Sequence, residues 1–196
     1  MPDLAAEPVP ERPSRVRGRA RASGFSLVEL LVVILIIGIL IGITFAVVTK
    51  LRAAASNTTC LSNLHQIAMG FQQYAAANKG HLPDPLASDS SFESALAKYV
   101  GGAATFQCPS DEELFPALGS SYDWRDTGVP ATTLAGKLLQ TARGDAVLAF
   151  EALPGWHARR KINVVRIDGS ATTMDDDACF RDLLSPIGSP PANGGP

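Results

Sequence analysis

The sequence has few cysteines, and none of them is spaced for a short cysteine motif. Only three of its 196 residues are cysteine and three are histidine. The chain contains no Cys-x-x-Cys pair, which argues against a zinc-ribbon or thioredoxin-type site. It also lacks the Gly-x-Ser-x-Gly and His-Glu-x-x-His motifs of serine hydrolases and zinc peptidases. No short catalytic motif of these classes is therefore present.

Charge is absent from one long stretch. None of the 20 residues from Leu30 to Thr49 is charged, and a helix of that length crosses the roughly 30 Å core of a bilayer. Five arginines lie between residues 12 and 21 with no acidic residue among them. The positive-inside rule places this basic end in the cytoplasm and the chain after the apolar run in the periplasm. One acidic residue, Glu29, directly precedes the run.

From the residues alone, this region is either a secretory signal peptide, a plain membrane anchor or a segment with a further function. A secretory signal peptide is cleaved after its apolar region, whereas the small residues Ala22-Ser23-Gly24 precede this one. A plain membrane anchor explains the arginines but not Glu29, because a carboxylate at the centre of a membrane helix costs roughly 2.5–3.5 kcal/mol and usually marks a function. The plain anchor and a functional segment both stay open at this point.

The segment GFSLVELLVVILIIGILIGI, which begins at Gly24, resembles the N-terminal motif of type IV pilins and type II secretion pseudopilins. The resemblance implies that a prepilin peptidase cleaves the Gly24–Phe25 bond and that the new amine of Phe25 is N-methylated. It also implies that Glu29 pairs with the Phe25 amine of a neighbouring subunit, which lowers the cost of burying both charges. Residues 1–24 are then a leader peptide and residues 25–49 a transmembrane helix.

Two glycines within the apolar run bear on helix packing. Gly38 and Gly42 are four residues apart, a spacing that lets helices approach closely in a membrane. Glycine also weakens a helix locally. Pilins often have a proline near the position of Ala46, so any melting of this helix during assembly would depend on the two glycines.

The helix is expected to continue from the membrane to about Asn78. In the segment 50–79, apolar residues recur at steps of three and four, which is typical of an amphipathic helix packed on a globular domain. The expected stripe consists of Cys60, Leu61, Leu64, Ile67, Ala68, Phe71, Tyr74 and Ala75. Gly80, followed by Pro83, predicts the end of the helix.

The segment 80–184 predicts a small domain with an antiparallel sheet, so that the whole chain is an α+β, pilin-like protein. The predicted strands are 121–124, 146–150, 162–167 and 170–174, with a two-residue hairpin turn at Asp168-Gly169. The predicted short helices begin at a Ser90/Glu93 capping box, near Ser110 (cut short by Pro116) and at Asp175. Residues 125–144 are expected to be mostly loop, and residues 185–196 a disordered tail.

This globular part is similar to a pseudopilin subgroup with a His-x9-Asp-Gly motif. Four blocks in the same order carry the similarity: CLSNLHQIAMGFQQYAAANKGHLPD, FQCPSDE, SSYDW and VLAFEALPGWHARRKINVVRIDGS. The chain departs from the subgroup in having ten residues between His157 and Asp168, and Ser170 where a histidine is common. Because Cys60 and Cys108 both lie in matching blocks and the periplasm is oxidising, the resemblance favours a disulfide between them. Three reduced, buried thiols are the alternative.

Two sets of polar residues are candidates for chemistry. Glu151, His157 and Asp168, with Asp123 in reserve, form a candidate acid–base group, but no nucleophile is identifiable beside them. Asp175-Asp176-Asp177 and Asp111-Glu112-Glu113 are candidate calcium ligands, since major type II pseudopilins are known for a calcium-stabilised loop. Both runs lack the ligand spacing of an EF-hand and occur where acidic residues start helices. We therefore expect no catalytic site and no cofactor, with calcium as the alternative.

These features predict a structural subunit of a type II secretion pseudopilus, a filament that supports protein export. The expected location is the bacterial inner membrane, with a single span and a periplasmic C-terminal domain. Expected partners are other pseudopilin subunits, the prepilin peptidase and the inner-membrane secretion platform. Without the leader, 12 basic and 16 acidic residues remain, which disfavours nucleic acid as a partner. The alternatives are a type IV pilus or DNA-uptake pilin, and a single-pass membrane-anchored enzyme or binding module.

Overall fold

The computed structural model describes residues 25–88 and 91–188. The chain divides into two units, Met1–Phe45 and Ala46–Pro196. The elements, in chain order, are α1 (Leu27–Ala77), α2 (Pro85–Ser88), α3 (Phe92–Leu96), a 3-10 helix (Ala103–Phe106), α4 (Leu114–Leu118), β1 (Tyr122–Trp124), a second 3-10 helix (Leu139–Thr141), β2 (Val147–Glu151), β3 (Lys161–Arg166), β4 (Ala171–Asp175) and α5 (Asp176–Leu183). A long N-terminal helix followed by an α+β domain is the fold that the sequence predicts.

The first unit contains the apolar beginning of α1. Every residue from Phe25 to Phe45 is exposed, and an 18-residue window of the helix reaches a mean hydropathy of 3.2. A helix that is apolar on all sides needs an apolar environment around it. By length and composition α1 is able to cross a membrane.

In the second unit, the continuation of α1 contributes the predicted apolar stripe to the core. Its six innermost members are almost completely buried: Cys60, Leu64, Ile67, Ala68, Phe71 and Ala75. The sequence predicts that the amphipathic half begins at residue 50. Residues 51–55 are exposed, however, and the first buried residue after residue 50 is Cys60. Phe71 stacks on Trp124 at 5.0 Å between ring centroids, which joins the helix to β1.

The end of α1 differs slightly from the expectation. Lys79, rather than Gly80, is the first residue with a left-handed backbone, with φ 56°, and Gly80 follows with φ 87°. The amide of Gly80 donates to the carbonyl of Ala75 at 2.7 Å. This bond spans the last turn and satisfies one of the carbonyls that a helix end leaves without a partner.

The four strands form one antiparallel sheet in the order β1-β2-β3-β4. Each strand lies within one residue of its predicted position, and the turn at Asp168-Gly169 joins β3 to β4. A register shift between Val147 and Ala149 marks a bulge in β2. Without the bulge, residues three positions apart would face opposite sides of the sheet. The bulge therefore explains why Val147 and Phe150 belong to the same hydrophobic cluster.

Both faces of the central strands are covered. One hydrophobic cluster includes the stripe of α1 together with Leu148, Ala149 and Val165. The other includes Val147, Ile162 and Val164 with Cys179 and Leu183 of α5. β2 and β3 are therefore buried along most of their length, because a helix packs on each side of the sheet.

The small helices are where the predictions were less accurate. Ser91 caps α3, and its hydroxyl accepts from the amide of Ser94 at 3.4 Å, whereas Ser90 of the expected Ser90/Glu93 box lies outside the described residues. Helix α3 ends at Leu96. Pro116 lies inside α4 rather than ending it, because a proline in the first turn loses no helical hydrogen bond. Helix α2 and both 3-10 helices were not predicted.

The expected disordered tail begins too early. Ile187 is buried, its amide donates to the carbonyl of Ala131 at 3.2 Å, and its carbonyl accepts from the amide of Arg143 at 2.9 Å. The chain is thus held at least as far as Ile187. The remainder of the expected tail, from residue 189, and the whole expected leader, 1–24, lie outside the described residues.

Candidate functional site

The first candidate site is the N-terminal end of α1. Gly24, on one side of the expected cleavage site, lies outside the described residues, and Phe25 on the other side is 74% exposed. The amides of Glu29 and Leu30 donate to the carbonyl of Ser26 at 3.0 and 3.2 Å, which starts the helix. Glu29 lies in the first turn, where the positive end of the helix dipole favours a carboxylate.

The two glycines of the apolar run lie on an open helix surface. A methyl group built on Gly38 or Gly42 meets no atom within 4 Å. Leu31, Ile34, Leu35 and Ile39 form a shallow apolar groove with Gly38. This surface is therefore free to receive another helix at close range.

The second candidate site is a buried group of sulfur, nitrogen and oxygen atoms in the second unit. The structure joins Cys60 of α1 and Cys108 in a disulfide, with 5.3 Å between their Cα atoms. His157, from the β2–β3 loop, places Nε2 3.4 Å from Sγ of Cys108 and 3.0 Å from Oε1 of Glu151. The side chains of Glu151 and His157 are only 1% and 6% exposed. We call these four residues the core cluster.

Glu151 is held in place by Asn163 on the adjacent strand. Its Oε2 accepts from the backbone amide of Asn163, and its Oε1 from the side-chain amide, both at 3.0 Å. The carbonyl oxygen of that amide accepts from the hydroxyl of Thr173 at 2.6 Å. Asn163 of β3 thus fixes the orientation of the carboxyl group that contacts His157. In the sequence, the signal that could have identified this support is a lone asparagine between the branched apolar residues Ile162 and Val164.

Burial shifts the protonation of both polar members of the core cluster. It raises the pKa of Glu151 to about 7, although the hydrogen bonds from Asn163 oppose the shift. It also lowers the pKa of His157 below its ordinary value. Both shifts favour the neutral forms.

The two pKa shifts make the stability of the fold depend on pH in opposite directions. Folded Glu151 keeps its proton above the ordinary value of 4.5, so its contribution is complete below that pH and is lost as the pH rises through about 7. The contribution of His157 is complete above its ordinary value of 6.5 and is lost as the pH falls through its lowered pKa.

The structure brings together only part of the candidate acid–base group. Glu151 and His157 meet, but Asp123 is exposed and lies one residue along β1 from Tyr122, which is the partner of Glu151. Successive side chains of a strand point to opposite faces, so Asp123 faces away from Glu151. Asp168 lies in the hairpin turn, where it accepts from the amide of Ser170 at 2.8 Å. Five residues of extended chain, about 16 Å, separate it from Asn163 beside the cluster.

The two acidic runs have partners within the chain. Asp175 accepts from Nζ of Lys161 at 2.9 Å, and Asp176 and Asp177 both pair with Arg160. These contacts explain the run at the start of α5 without a metal, and calcium binding stays a prediction.

Asp111 caps the start of α4. Its carboxylate accepts from the amides of Glu113, Leu114 and Phe115 at 3.0, 2.7 and 2.8 Å, and from the hydroxyl of Ser121 at 2.6 Å. Burial raises its pKa, but these hydrogen bonds prevail and leave the pKa below its ordinary value. The carboxylate therefore satisfies the free amides of a helix start.

Arg125 is a buried residue that no sequence pattern marks. Its side chain is 0% exposed, and Nη1 pairs with Oδ1 of Asp182 at 2.7 Å. Its other nitrogens donate to the carbonyls of Thr132, Asp182, Leu183 and Ser185. Arg125 thus fastens the C-terminal end of α5, but it lies in a segment expected to be loop and with no periodic pattern.

The comparisons with known proteins bear on the first candidate site. Residues 19–45 match a family model described as the prokaryotic N-terminal methylation motif. No curated protein matches the chain, and no solved structure matches it. The matched residues include the expected cleavage site, Glu29 and Gly38.

The motif and the fold together support a type IV pilin-like protein. The motif supports a prepilin-type family, and the long helix with its small α+β domain is pilin-like. A prepilin-type motif implies processing by a prepilin peptidase and polymerisation with pilin-like subunits in general. The apolar helix and the motif fit a protein anchored in a membrane.

Proposed function

We propose that the chain is a structural subunit of a type II secretion pseudopilus, assembled from the inner membrane after removal of residues 1–24. The observation that carries this proposal is the methylation motif at the start of an exposed, apolar helix. A helix with this surface is stable only in lipid or among other apolar helices. The filament supplies the second environment when a subunit leaves the first.

The charges at the helix start give the assembly its register. Cleavage leaves a cationic amine on Phe25, two residues before α1, and Glu29 supplies a carboxylate in the first turn. A charge buried alone among apolar helices is costly, and an opposite charge on a neighbouring subunit offsets much of that cost. We therefore assign Glu29 of each incoming subunit to the Phe25 amine of its neighbour, with Gly38 and Gly42 at close helix contacts.

Two observations favour a structural role in secretion over the alternatives. Among the described residues, the acid–base candidates are divided between a buried cluster and an exposed turn, so they do not line one shared pocket. The chain after residue 24 carries four more acidic than basic residues, which repels the phosphates that a DNA-uptake pilin must bind. Both observations support export rather than enzymatic activity or DNA uptake.

The processing step is tested by the intact mass and N-terminal sequence of the membrane-extracted protein, from cells with and without a prepilin peptidase. We expect a chain that begins at Phe25 and is one methyl group heavier, only when the peptidase is present. Gly24→Leu should block cleavage, whereas Gly18→Leu, in the same leader, should not. A chain that keeps its arginine-rich leader would leave only a single-pass anchor.

The choice of machine is tested by deletion of the gene in cells that both secrete enzymes and take up DNA. We expect secreted enzymes to accumulate in the periplasm while DNA uptake stays at the wild-type level. The reverse result would assign the subunit to a DNA-uptake pilus. Normal export and normal uptake, with a processed subunit, would assign it to another pilin-like filament.

A further inference from the structure

The core cluster contains more polar groups than a disulfide needs. The Sγ atoms of Cys60 and Cys108, a carboxylate oxygen of Glu151 and a ring nitrogen of His157 all lie within 4.8 Å of one another. A disulfide is an apolar group, and it gains little from a buried carboxyl and imidazole that face it. Burial of those two groups costs free energy unless they are paired. Glu151 and His157 pair with each other at 3.0 Å, and both also face the two sulfurs, so the four atoms form a compact set of possible metal ligands.

Two sulfurs, one imidazole nitrogen and one carboxylate oxygen are ligands that zinc accepts in a tetrahedral site. Zinc–ligand bonds of about 2.0–2.3 Å place neighbouring ligand atoms about 3.4–3.8 Å apart. In the structure, Nε2 of His157 is 3.4 Å from Sγ of Cys108, and Oε1 of Glu151 is 4.0 Å from the same sulfur. The nitrogen and the oxygen are 3.0 Å apart. These three distances lie within about half an ångström of the tetrahedral values.

We propose that, when its disulfide is reduced, the chain binds one Zn²⁺ through Cys60, Cys108, Glu151 and His157. A dithiol reductant transfers two electrons and two protons to the disulfide and itself becomes a disulfide. Zinc then binds the two sulfurs as thiolates and releases their two protons, together with the proton of Glu151 where that group is protonated. The two sulfurs must separate from bonded contact to about 3.8 Å. Disulfide and zinc are mutually exclusive ways of closing the same core.

The surrounding structure prepares the site. Asn163 orients the Glu151 carboxyl with two hydrogen bonds of 3.0 Å, as residues behind a metal ligand commonly do. The ligands come from α1, from the segment before α4, from the end of β2 and from the β2–β3 loop. Residues 153–155 of that loop are exposed, which gives the metal a route to His157. The proposal does not depend on filament assembly.

The test uses the full chain in detergent, reduced with a water-soluble phosphine, freed of it without oxygen, and given Zn²⁺ or Co²⁺. We expect one Zn²⁺ per chain in the reduced protein and none in the oxidised protein. Reduced protein with Co²⁺ should show thiolate-to-metal charge transfer and the intense visible bands of a tetrahedral site. His157→Ala and Glu151→Gln should each weaken zinc binding by at least about tenfold. Cys179→Ser, which removes the one cysteine outside the cluster, should change neither readout.

Several outcomes would overturn the proposal. If the reduced chain takes up no zinc, the site does not exist, whether the reduced chain stays folded or unfolds. Zinc affinity unchanged in both His157→Ala and Glu151→Gln would mean that the thiols alone bind the metal. An octahedral cobalt spectrum, or loss of binding in Cys179→Ser, would place the metal elsewhere in the chain.

Discussion

Replacement of Arg125 by methionine is expected to release the C-terminal helix from the sheet. Methionine keeps much of the volume but loses the ion pair with Asp182 and the hydrogen bonds to three carbonyls at the end of α5. Removal of one partner from a buried ion pair typically costs about 3–5 kcal/mol, because the other group stays buried without it. Asp182 keeps its bond from the amide of Val147 at 2.9 Å and its pair with Arg143, so the lower half of that range applies, about 3 kcal/mol.

Cys179 of α5 reports this loss directly. It is the free cysteine of the chain, is 0% exposed against the sheet, and burial raises the pKa of its thiol to about 12. The thiol therefore reacts with an alkylating reagent only when α5 opens. If the opening free energy falls by about 3 kcal/mol, the labelling rate should rise by roughly 10²-fold, since each 1.4 kcal/mol is a factor of ten. Mass spectrometry of the intact protein follows the reaction.

Two variants control for the removal of charge. Arg143→Met removes a second partner of Asp182 that is 10% exposed, and we expect its effect on the labelling rate to be at least tenfold smaller. Arg125→Lys keeps the charge but not the planar set of donors, and should lie between wild type and Arg125→Met. If Cys179 reacted in Arg125→Met at the wild-type rate, the assignment of Arg125 as the fastening of α5 would be refuted.

Three further perturbations test other parts of the molecule. Glu29→Ala should be cleaved normally but fail to assemble, measured as cross-linked multimers of the subunit in the cell envelope; multimers at the wild-type level would contradict the charge pair. Replacement of Cys60 and Cys108 by serine opens a link across 48 positions and should lower the free energy of unfolding by about 3–4 kcal/mol in denaturant titrations; an unchanged midpoint would show that the link adds nothing. The advantage in thermal stability of wild type over Glu151→Gln should be largest below about pH 4.5 and should decline as the pH rises through about 7, because the raised pKa favours the folded state only while the carboxyl is protonated. The comparison between the two proteins removes the opposite contribution of His157, and an advantage that grew with pH would contradict the assignment.

The regular elements could be predicted from local patterns. The short apolar run that became β2, the β-branched residues that became β3 and the Asp168-Gly169 turn each contain their signal within about six residues. The stripe from Cys60 to Ala75 repeats over several turns and likewise identifies its buried face. Helix ends and caps were less certain because one-residue alternatives, such as Ser90 and Ser91, satisfy the same pattern.

Both pairs within the core cluster were expected, since the resemblance favoured the Cys60–Cys108 disulfide and Glu151 and His157 belonged to one candidate acid–base group, and the structure contains both pairs. That the two pairs meet could not be predicted, because they come together only after folding. Glu151 and His157 are close in sequence, but Cys60 and Cys108 belong to distant segments, and no spacing rule connects the four residues. Arg125 was missed for a related reason, since its partners Asp182 and Ser185 lie 57 and 60 positions away. Asn163 was also not identified, although a polar residue among the branched apolar residues of a strand is visible in the sequence.

The disulfide also determines how the second unit transmits mechanical load. Tension applied to α1 from its N-terminal side enters the sheet domain at Cys60 and passes through the covalent link to Cys108. This covalent path bypasses the intervening segment, 61–107, which contains the rest of α1 with α2 and α3. The helix therefore cannot be peeled from the sheet turn by turn beyond Cys60, and a subunit pulled by its helix yields first in the segment before that residue or after Cys108.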